Sequence, residues 1–366
     1  MLLSHKSTVK IENHDANILG HMCYAASKLW NVCNYERHHY KDMSLPVSYP
    51  DWFYQKKAHK DDVWYKQLPS QTAQEVCKLL DKSWKSFYQL QKTGGIENPN
   101  PPHYKQESMP ITYMQNGIVH ETGSARVRLS LPKRLKNFMA DTYDIHADFL
   151  YLENLIFKVM DHIKQLKVYP PVHGVCSIIA IYEIDDTELL GDNGQYLSID
   201  LGIHNLMTCY SSGNGDSFVL GRKYLSLCHY YNKKIGRVQS QWHRLQTKKG
   251  IRHPKGSRHI TRLYRARANA IHDYLHKITR YIVRYCQEHD IHTVVIGDIT
   301  NIRKDKDLGH VTNQKLHALP FNKLYMMLAY KLQLVGITMV REKEAYSSQV
   351  SPLSDAVNKR NADRRN

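Results

Sequence analysis

The sequence lacks the features that would place the chain in a membrane or in an oxidising compartment. It has no run of about 18 apolar residues, the length that a bilayer-spanning helix needs. Its first residues show no charged-then-apolar signal pattern. It holds seven cysteines, an odd number, and no Cys-X-X-Cys pair. We therefore expect a protein of the reducing cytoplasm, without membrane contact, whose cysteines are small buried apolar residues.

Several motifs of common enzymes and DNA-binding domains are also missing. There is no Gly-X-Ser-X-Gly hydrolase motif, no Gly-rich phosphate loop, and no helix-turn-helix or zinc-finger spacing. A Cys/His nucleophile pair stays open among the 22 histidines, although no spacing supports one. These absences argue against serine hydrolases, P-loop enzymes and the small DNA-reading domains.

Acidic residues are scarce relative to basic ones. The chain has 51 Lys and Arg against 34 Asp and Glu, a net charge of +17 with His neutral, which indicates a polyanionic partner. The excess is concentrated between Lys233 and Arg267, a segment without acidic residues that also carries Trp242 and Tyr264. A solvated charged face is the alternative, but cations that neutralise phosphates beside rings that stack on bases are typical of nucleic-acid surfaces. The predicted contacts are Lys233, Lys234, Arg237, Arg244, Lys248, Lys249, Arg252, Lys255, Arg258, Arg262, Arg265 and Arg267.

Apolar periodicity divides the chain into a helical first part, a strand-rich middle and an alternating last part. Helical spacing predicts helices over 15–41 and from Ser70, as N-cap, to about residue 92. A Gly-, Pro- and Asn-rich break follows at 93–105, and short apolar runs then predict strands up to residue 184.

The last part begins with three predicted strands, followed by a helical insert, a strand, a helix and a final strand. The strands are 196–201, 206–211, 217–221, 293–298 and 337–341, the insert is 222–289 and the helix is 321–334. This order is typical of a mixed α/β sheet of the ribonuclease H kind.

One carboxylate stands at the end of the first of these strands. Asp200 closes an apolar run, and Gly202 follows and permits a tight turn. A rigidly held carboxylate suits Mg²⁺, and two-metal phosphodiester cleavage needs several that converge. A solvated turn aspartate is the alternative. In the fourth strand Gly297 precedes Asp298, and strand alternation predicts that Asp298 points to the other side of the sheet from Gly297.

Eight segments occur in an order and spacing that are specific together. They are LPSQTAQE (68–75), NPPHYK (100–105), SIIAIYE (177–183), YLSIDLGIHNLMTCYSS (196–212), IHDYLHKIT (271–279), VVIGDITNIRKD (294–305), NQKLHALPF (313–321) and EAYSSQVSPLS (344–354). Over nearly its whole length the chain resembles the TnpB (OrfB) family of transposon-encoded RNA-guided nucleases.

The resemblance implies an α+β multidomain fold. Residues 1–14 and 100–190 would form a wedge-like β-barrel, into which residues 15–99 are inserted as a helical recognition lobe. Residues 191–366 would form a RuvC domain, which is ribonuclease H-like α/β, with the basic helical insert at 222–289. Two family features are not matched: a zinc ribbon, since Val350 follows Gln349 where the family has Cys, and a late acidic segment. We therefore expect a RuvC domain that is truncated at its C-terminus.

The resemblance also assigns the acids of the nuclease site. The first falls on Asp200, the second falls where this chain has Gly297, and Glu344 takes that role in some members with the Gly-Asp sequence. Because the third acid is not matched, Asp200, Asp298 and Glu344 are interpreted as remnants. We expect no functional catalytic residue, no enzyme activity and no metal, with Mg²⁺ at Asp200 as the alternative. The chain would then be closest to the nuclease-dead repressors related to TnpB (TldR).

The implied partners are a guide RNA and double-stranded target DNA, bound by a monomer on one RNA at the bacterial nucleoid. The leading hypothesis is a transcriptional repressor that forms an R-loop beside a short DNA motif. The alternatives are an active transposon endonuclease, a decayed remnant and a guide-independent DNA binder. Glutamine can pair bidentately with adenine, so the candidates for motif recognition are Tyr54, Ser70, Gln71, Gln74, Gln115 and Asn116. Helix capping and surface solvation are the alternative roles for these residues.

Overall fold

A computed structural model describes the chain except for residues 95, 255, 300–308, 310–312, 314, 315, 317, 318, 344–349, 352, 353 and 358–366. The chain forms two compact units, Met1–Asp185 and Asp186–Asn366. Among the helices of the described ranges, none combines the length and the hydropathy that crossing a bilayer requires.

Four helices occupy the first half of the first unit: α1 Asn13–His39, α2 Trp52–Ala58, α3 Val63–Lys66 and α4 Ser70–Thr93. The two long helices that the periodicity predicts are confirmed, since their apolar residues recur at helical spacing and are buried in one core. The predicted N-cap is wrong by one residue. Pro69 holds the cap position of α4, Ser70 is the first helical residue, and no side chain caps the helix.

A buried polar network joins α1, α2 and α4. The guanidinium of Arg37, which is 1% exposed, lies 3.0 Å from Asp81 and donates a 2.9 Å hydrogen bond to Gln55. The amide of Gln55 in turn donates to Glu36 at 2.7 Å. Buried charges persist in a protein only when they are paired and hydrogen-bonded, so this network fixes how the three helices pack.

The strands of the first unit form two open sheets. They are β1 Leu2–Lys10, β2 Ile111–Met114, β3 Ile118–His120, β4 Arg126–Ser130, β5 Phe149–Glu153, β6 His162–Val168 and β7 Val175–Glu183, with α5 Lys133–Tyr143 between β4 and β5. One sheet has the order β1-β7-β6-β2 and the other β3-β4-β5. The expected pairing of the N-terminal strand with the middle of the chain is confirmed, because β1 runs antiparallel to β7. The described strands do not close into the predicted barrel, since a 3-10 turn at Gln115–Gly117 separates β2 from β3.

The second unit is built on a five-stranded sheet. Its strands are β8 Tyr196–Asp200, β9 Met207–Ser211, β10 Ser217–Leu220, β11 Thr293–Asp298 and β12 Thr338–Lys343, and its helices are α6 Lys223–Lys248, α7 Arg258–Glu288 and α8 Phe321–Gln333. The strand order is β10-β9-β8-β11-β12, in which β8, β9 and β10 are antiparallel neighbours and β11 runs parallel to β8 and β12. The mixed α/β sheet that the sequence predicts is confirmed. A small hairpin, β13 Val350–Ser351 and β14 Ser354–Val357, follows.

One face of this sheet is packed against helices. Ile199 of β8 and Ile296 of β11 belong to the same core as residues of α7 and α8, such as Ile282 and Leu328. Because side chains alternate along a strand, Ser198 and Asp200 project from the opposite face. The seven cysteines of the chain are all buried as free thiols, as predicted.

Candidate active site and nucleic-acid surfaces

Asp200 is the last residue of β8, and its side chain is exposed. The strand leads into a tight turn, in which the amide of Gly202 donates a 3.1 Å hydrogen bond to the carbonyl of Asn205. A Cβ at Gly202 would lie 2.8 Å from that same carbonyl oxygen, so a larger residue would open the turn. The turn therefore holds Asp200 at a fixed point on the rim of the sheet.

Asp298 does not join Asp200. In the parallel pairing of β11 with β8, Ile296 lies beside Ile199, and the next step of this register brings Gly297 beside Asp200. Asp298 is one residue further along, so its side chain projects from the helix-covered face, as strand alternation predicts. The two aspartates thus lie on opposite faces of one sheet.

Glu342 is the acidic residue that the sequence reasoning missed. Strand β12 pairs with β11 so that Glu342 lies beside Gly297. Asp200, Gly297 and Glu342 consequently form one row across three strands, on one face, and both carboxylates are exposed. Adjacent strands lie about 4.8 Å apart, so the two outer backbones are about 10 Å apart. Gly297, between them, contributes no side chain to the row.

The donor chemistry of this row fits Mg²⁺. The ion binds through oxygen ligands and is commonly held by one or two carboxylates, with substrate phosphates completing the shell. No group of three or more His, Cys, Asp or Glu side chains is close enough to hold a metal within the described residues. Glu344 lies outside those residues, so its predicted role stays a prediction.

The basic segment forms the facing ends of two packed helices. Most of its cations lie on the second half of α6 and the first two turns or so of α7, and Lys255 lies outside the described residues. The cations of the described part are exposed, except that Arg267 is half-buried with its Nε buried and unpaired among the described groups. The predicted insert is helical in the structure, and its acid-free stretch ends before Asp273, because α7 carries Asp273 and Glu288 further along.

The structure brings most of the predicted DNA-reading residues into one region. Gln71, Gln74, Gln115 and Asn116 line a groove of about 300 Å³ between α4 and the turn after β2. Ser70 lines an adjoining groove of about 220 Å³, which shares Gln71 and Asn116 with the first.

Two details distinguish these residues. The Oε1 atom of Gln71 is buried without a hydrogen-bond partner among the described groups. Tyr54 lies on α2 and does not line either groove. Burial and the nearby charge of Glu36 raise the pKa of Tyr54.

Lys164 and Gln165 also line the larger groove, and the sequence analysis missed them, because only the fold brings β6 beside α4.

The sequence matches a family model over residues 180–303, which include Asp200 and the basic helices. That family is OrfB_IS605, described as "Probable transposase". No curated protein is significantly similar to the chain. The match supports the resemblance to TnpB (OrfB) and says nothing about the repressors related to it.

Three solved structures are similar to the chain. The first is a Cas12f1–sgRNA–target DNA complex, with a TM-score of 0.55 and 11% identity over 94% of this chain and 75% of that chain. The others are a CRISPR-Cas12f ternary complex (TM-score 0.35, 12% identity, 94% and 73% covered) and C2c1 of Alicyclobacillus acidoterrestris with single-guide RNA (TM-score 0.41, 9% identity, 91% and 60% covered). The first similarity is one of fold, and the other two are too low to support an argument.

The expectation that the chain is not an enzyme is wrong. The family that matches residues 180–303 is described as a transposase, which is an enzyme, and the first of the similar structures shares the fold. Neither the family match nor the fold similarity shows an inactivated nuclease. The chain is therefore similar to the OrfB_IS605 transposase family over residues 180–303 and has an α+β fold like that of Cas12f1.

Proposed function

We propose that the chain is an RNA-guided DNA endonuclease of the TnpB type, with its nuclease site on the five-stranded sheet of the second unit. The observation that carries this proposal is the row Asp200–Gly297–Glu342, which gives two exposed carboxylates on one open face of a ribonuclease H-like sheet. Asp200, Gly297 and the basic helices α6 and α7 lie within the segment that matches the transposase family, and Glu342 lies outside it.

Asp200 and Glu342 would hold Mg²⁺ through carboxylate oxygens. When bound, the ion supplies a Lewis acid for the phosphodiester and makes a bound water more acidic. The protein supplies rigidity at Asp200, through the Gly202 turn. The side chain of Asp298 stays outside this step, because it projects from the other face.

Nucleic-acid binding would rest on the cations of α6 and α7. Arg237 and Arg244 on α6 and Arg258, Arg262 and Arg265 on α7 are all exposed. Neutralised phosphates release counterions, so binding should weaken steeply as salt is raised. The Cas12f1 structure of similar fold contains a single-guide RNA and a target DNA. By analogy we propose a guide RNA and a double-stranded DNA target here, bound by one copy of the chain.

Reading of a short DNA motif would fall to the groove at the start of α4. Gln71 and Asn116 line both parts of the groove and carry amides, which pair with adenine through two hydrogen bonds. Gln74 and Gln115 line the larger part, Ser70 lines the smaller part, and Tyr54 is the candidate that the groove does not include.

The experiment is purification of the whole chain from cells that carry its own locus, with sequencing of the bound RNA. The guide end of that RNA is then matched to a DNA duplex, and cleavage is measured with Mg²⁺. We expect one discrete RNA and cleavage only of the matched duplex. Matched binding without cleavage at any Mg²⁺ or Mn²⁺ concentration would contradict the nuclease proposal, and the absence of a defined RNA would contradict guidance.

A further inference from the structure

The three-stranded sheet of the first unit has one core face and one solvent face. Val127 and Leu129 of β4 and Leu150 and Leu152 of β5 are fully buried. The residues between them face solvent, and two of these are aromatic: Phe149 is 39% exposed and Tyr151 is 37% exposed. Alternation on a solvated sheet normally places polar residues at such positions, so two exposed rings in consecutive outward positions call for an explanation.

Two arginines of β4 stack on these rings. The Arg126 guanidinium lies 3.9 Å from the ring centre of Tyr151, and that of Arg128 lies 4.2 Å from the ring centre of Phe149. In the strand register, Arg128 is opposite Tyr151 and Arg126 is opposite Glu153. Both arginines therefore lean toward the same end of β5. The result is a ladder of two arginine–ring pairs, Arg128 over Phe149 and Arg126 over Tyr151. Glu153 lies at its end and contacts Arg126 at 3.2 Å.

We propose that this ladder is a binding platform for unpaired RNA nucleotides. Nucleobases in single strands stack on aromatic rings and on guanidinium planes, and exposed sheet faces are the common scaffold for such stacking. The ladder offers both kinds of plane in alternation, and its cations suit the phosphates that accompany the bases. A base inserted beside Tyr151 would continue the stack that Arg126 and Arg128 begin.

The carboxylate of Glu153 favours RNA over DNA. Its side chain is 69% exposed at the end of the ladder, and one oxygen is held by Arg126. A carboxylate repels phosphate but accepts a hydrogen bond from a 2′-hydroxyl, the group that distinguishes RNA from DNA. The platform is thus built for a ribose beside Glu153 and for bases along the ladder.

The test uses the full chain after removal of bound RNA with nuclease and high salt. A fluorescent, unstructured oligouridine is titrated with the wild-type protein and with Y151L, which keeps apolar bulk but removes the ring. We expect Y151L to weaken binding at least about tenfold, the loss of one stacked base. The slope of log Kd against log salt should stay unchanged, because stacking releases no counterions. Y143L, which removes a ring that is 54% exposed on α5, is the matched control.

Three outcomes overturn the inference. The first is equal affinity of Y151L and the wild type for oligouridine while both unfold at the same temperature. The second is oligodeoxyuridine bound as tightly as oligouridine. The third is a set of photo-crosslinks from 4-thiouridine that map only to α6 and α7 and leave β5 unlabelled. Crosslinks on the Phe149–Glu153 strand that disappear in Y151L support it.

The inference rests on the proposed function only in that the chain binds RNA. Separate experiments can refute the platform and the nuclease proposal. A wild-type protein that performs guided cleavage, but whose oligouridine affinity Y151L leaves unchanged, would refute the platform and leave the nuclease proposal standing. If oligouridine binding depends on Tyr151 but the protein never cleaves DNA, the platform stands and the nuclease proposal fails.

Discussion

Glu342 of β12 and Asp200 of β8 lie on the same face of one sheet, separated only by the strand that carries Gly297 between them. The relationship follows from the register of three parallel neighbours and from the alternation of side chains. It gives the nuclease proposal a second carboxylate that does not depend on Asp298 or on Glu344.

The first prediction concerns Glu342 as a metal-binding residue. The variant E342Q keeps the size of the side chain and removes its charge, so we expect weaker Mn²⁺ binding and cleavage at least about tenfold slower, since metal affinity in such sites depends on carboxylate charge. Mn²⁺ binding is measured by electron paramagnetic resonance and cleavage on a matched duplex. The control is E288Q, a surface carboxylate at the end of α7 that pairs with Arg284 at 3.2 Å. If E342Q and E288Q change Mn²⁺ binding and cleavage equally, Glu342 is not a metal-binding residue.

The second prediction concerns the basic helices. Replacing Arg262 with Gln removes an exposed cation from the segment without acids, so the slope of log K against log salt for duplex DNA should become shallower by about 0.9 per lost phosphate contact. The control is K277Q on the same helix, since Lys277 is already paired with Asp273 at 2.7 Å. Fluorescence anisotropy over a salt series measures both slopes. A shallower slope in K277Q, with none in R262Q, would place the binding surface elsewhere.

The third prediction concerns the groove at α4. Q71A should relax the preference for the base pairs of the flanking motif by about 1–3 kcal/mol, the discrimination that one bidentate contact supplies. Y54F, outside the groove, should leave the preference unchanged. A library of targets with randomised flanking bases, sequenced after binding, measures both variants. Loss of discrimination in Y54F alone would mean that the motif is read at α2 and not in the groove.

The fourth prediction concerns the buried pair of Arg37 and Asp81. The variant R37M leaves Asp81, which is 3% exposed, with Lys85 as its one ion-pair partner among the described residues, at 2.9 Å. Removal of one partner of a buried ion pair costs about 3–5 kcal/mol, because the other charge stays buried. Urea unfolding followed by circular dichroism measures the loss in the free energy of unfolding. The control K66M breaks the pair with Asp61, whose side chain is 89% exposed, and should change it by less than about 1 kcal/mol.

The fifth prediction concerns the pH dependence of that network. Burial alone would raise the pKa of Asp81, yet hydrogen bonds from Lys85 and Arg37 hold it below its ordinary value. A carboxyl group with a lowered pKa in the folded state stabilises the fold fully above its unfolded pKa, and that contribution is lost as the pH falls through the folded pKa. The wild type should therefore lose stability below about pH 4, and D81N should lose less over the same range. Parallel pH profiles would contradict this assignment.

Much of the second unit could be predicted from the sequence. Its strands are apolar runs bounded by Gly, Asn and Asp, and their predicted ends lie within two residues of the observed ones. The run that ends at Asp298 is predicted at 293–298 and observed at Thr293–Asp298. Alternation alone was also enough to turn Asp298 away from Gly297. Short-range patterns sufficed here because each strand is mostly buried on one side.

The remaining features depend on pairing between distant segments. The position of Glu342 follows from the register of β12 against β11, and the predicted strand ended at Arg341, two residues before the observed end at Lys343, so it left Glu342 out. The two open sheets of the first unit depend on which strands pair, which apolar alternation does not specify. The platform of Arg128 and Tyr151 was missed for the same reason, since only the β4–β5 register brings these side chains together.

The most direct test of the central claim is a comparison of D200N and D298N in guided cleavage. Both substitutions keep the shape of the side chain and remove one charge, at the ends of neighbouring strands of one sheet. The account predicts that D200N abolishes Mg²⁺-dependent cleavage of a matched duplex while it still binds that duplex, and that D298N cleaves at nearly the wild-type rate. Unchanged cleavage by D200N, or loss of cleavage only in D298N, would contradict it.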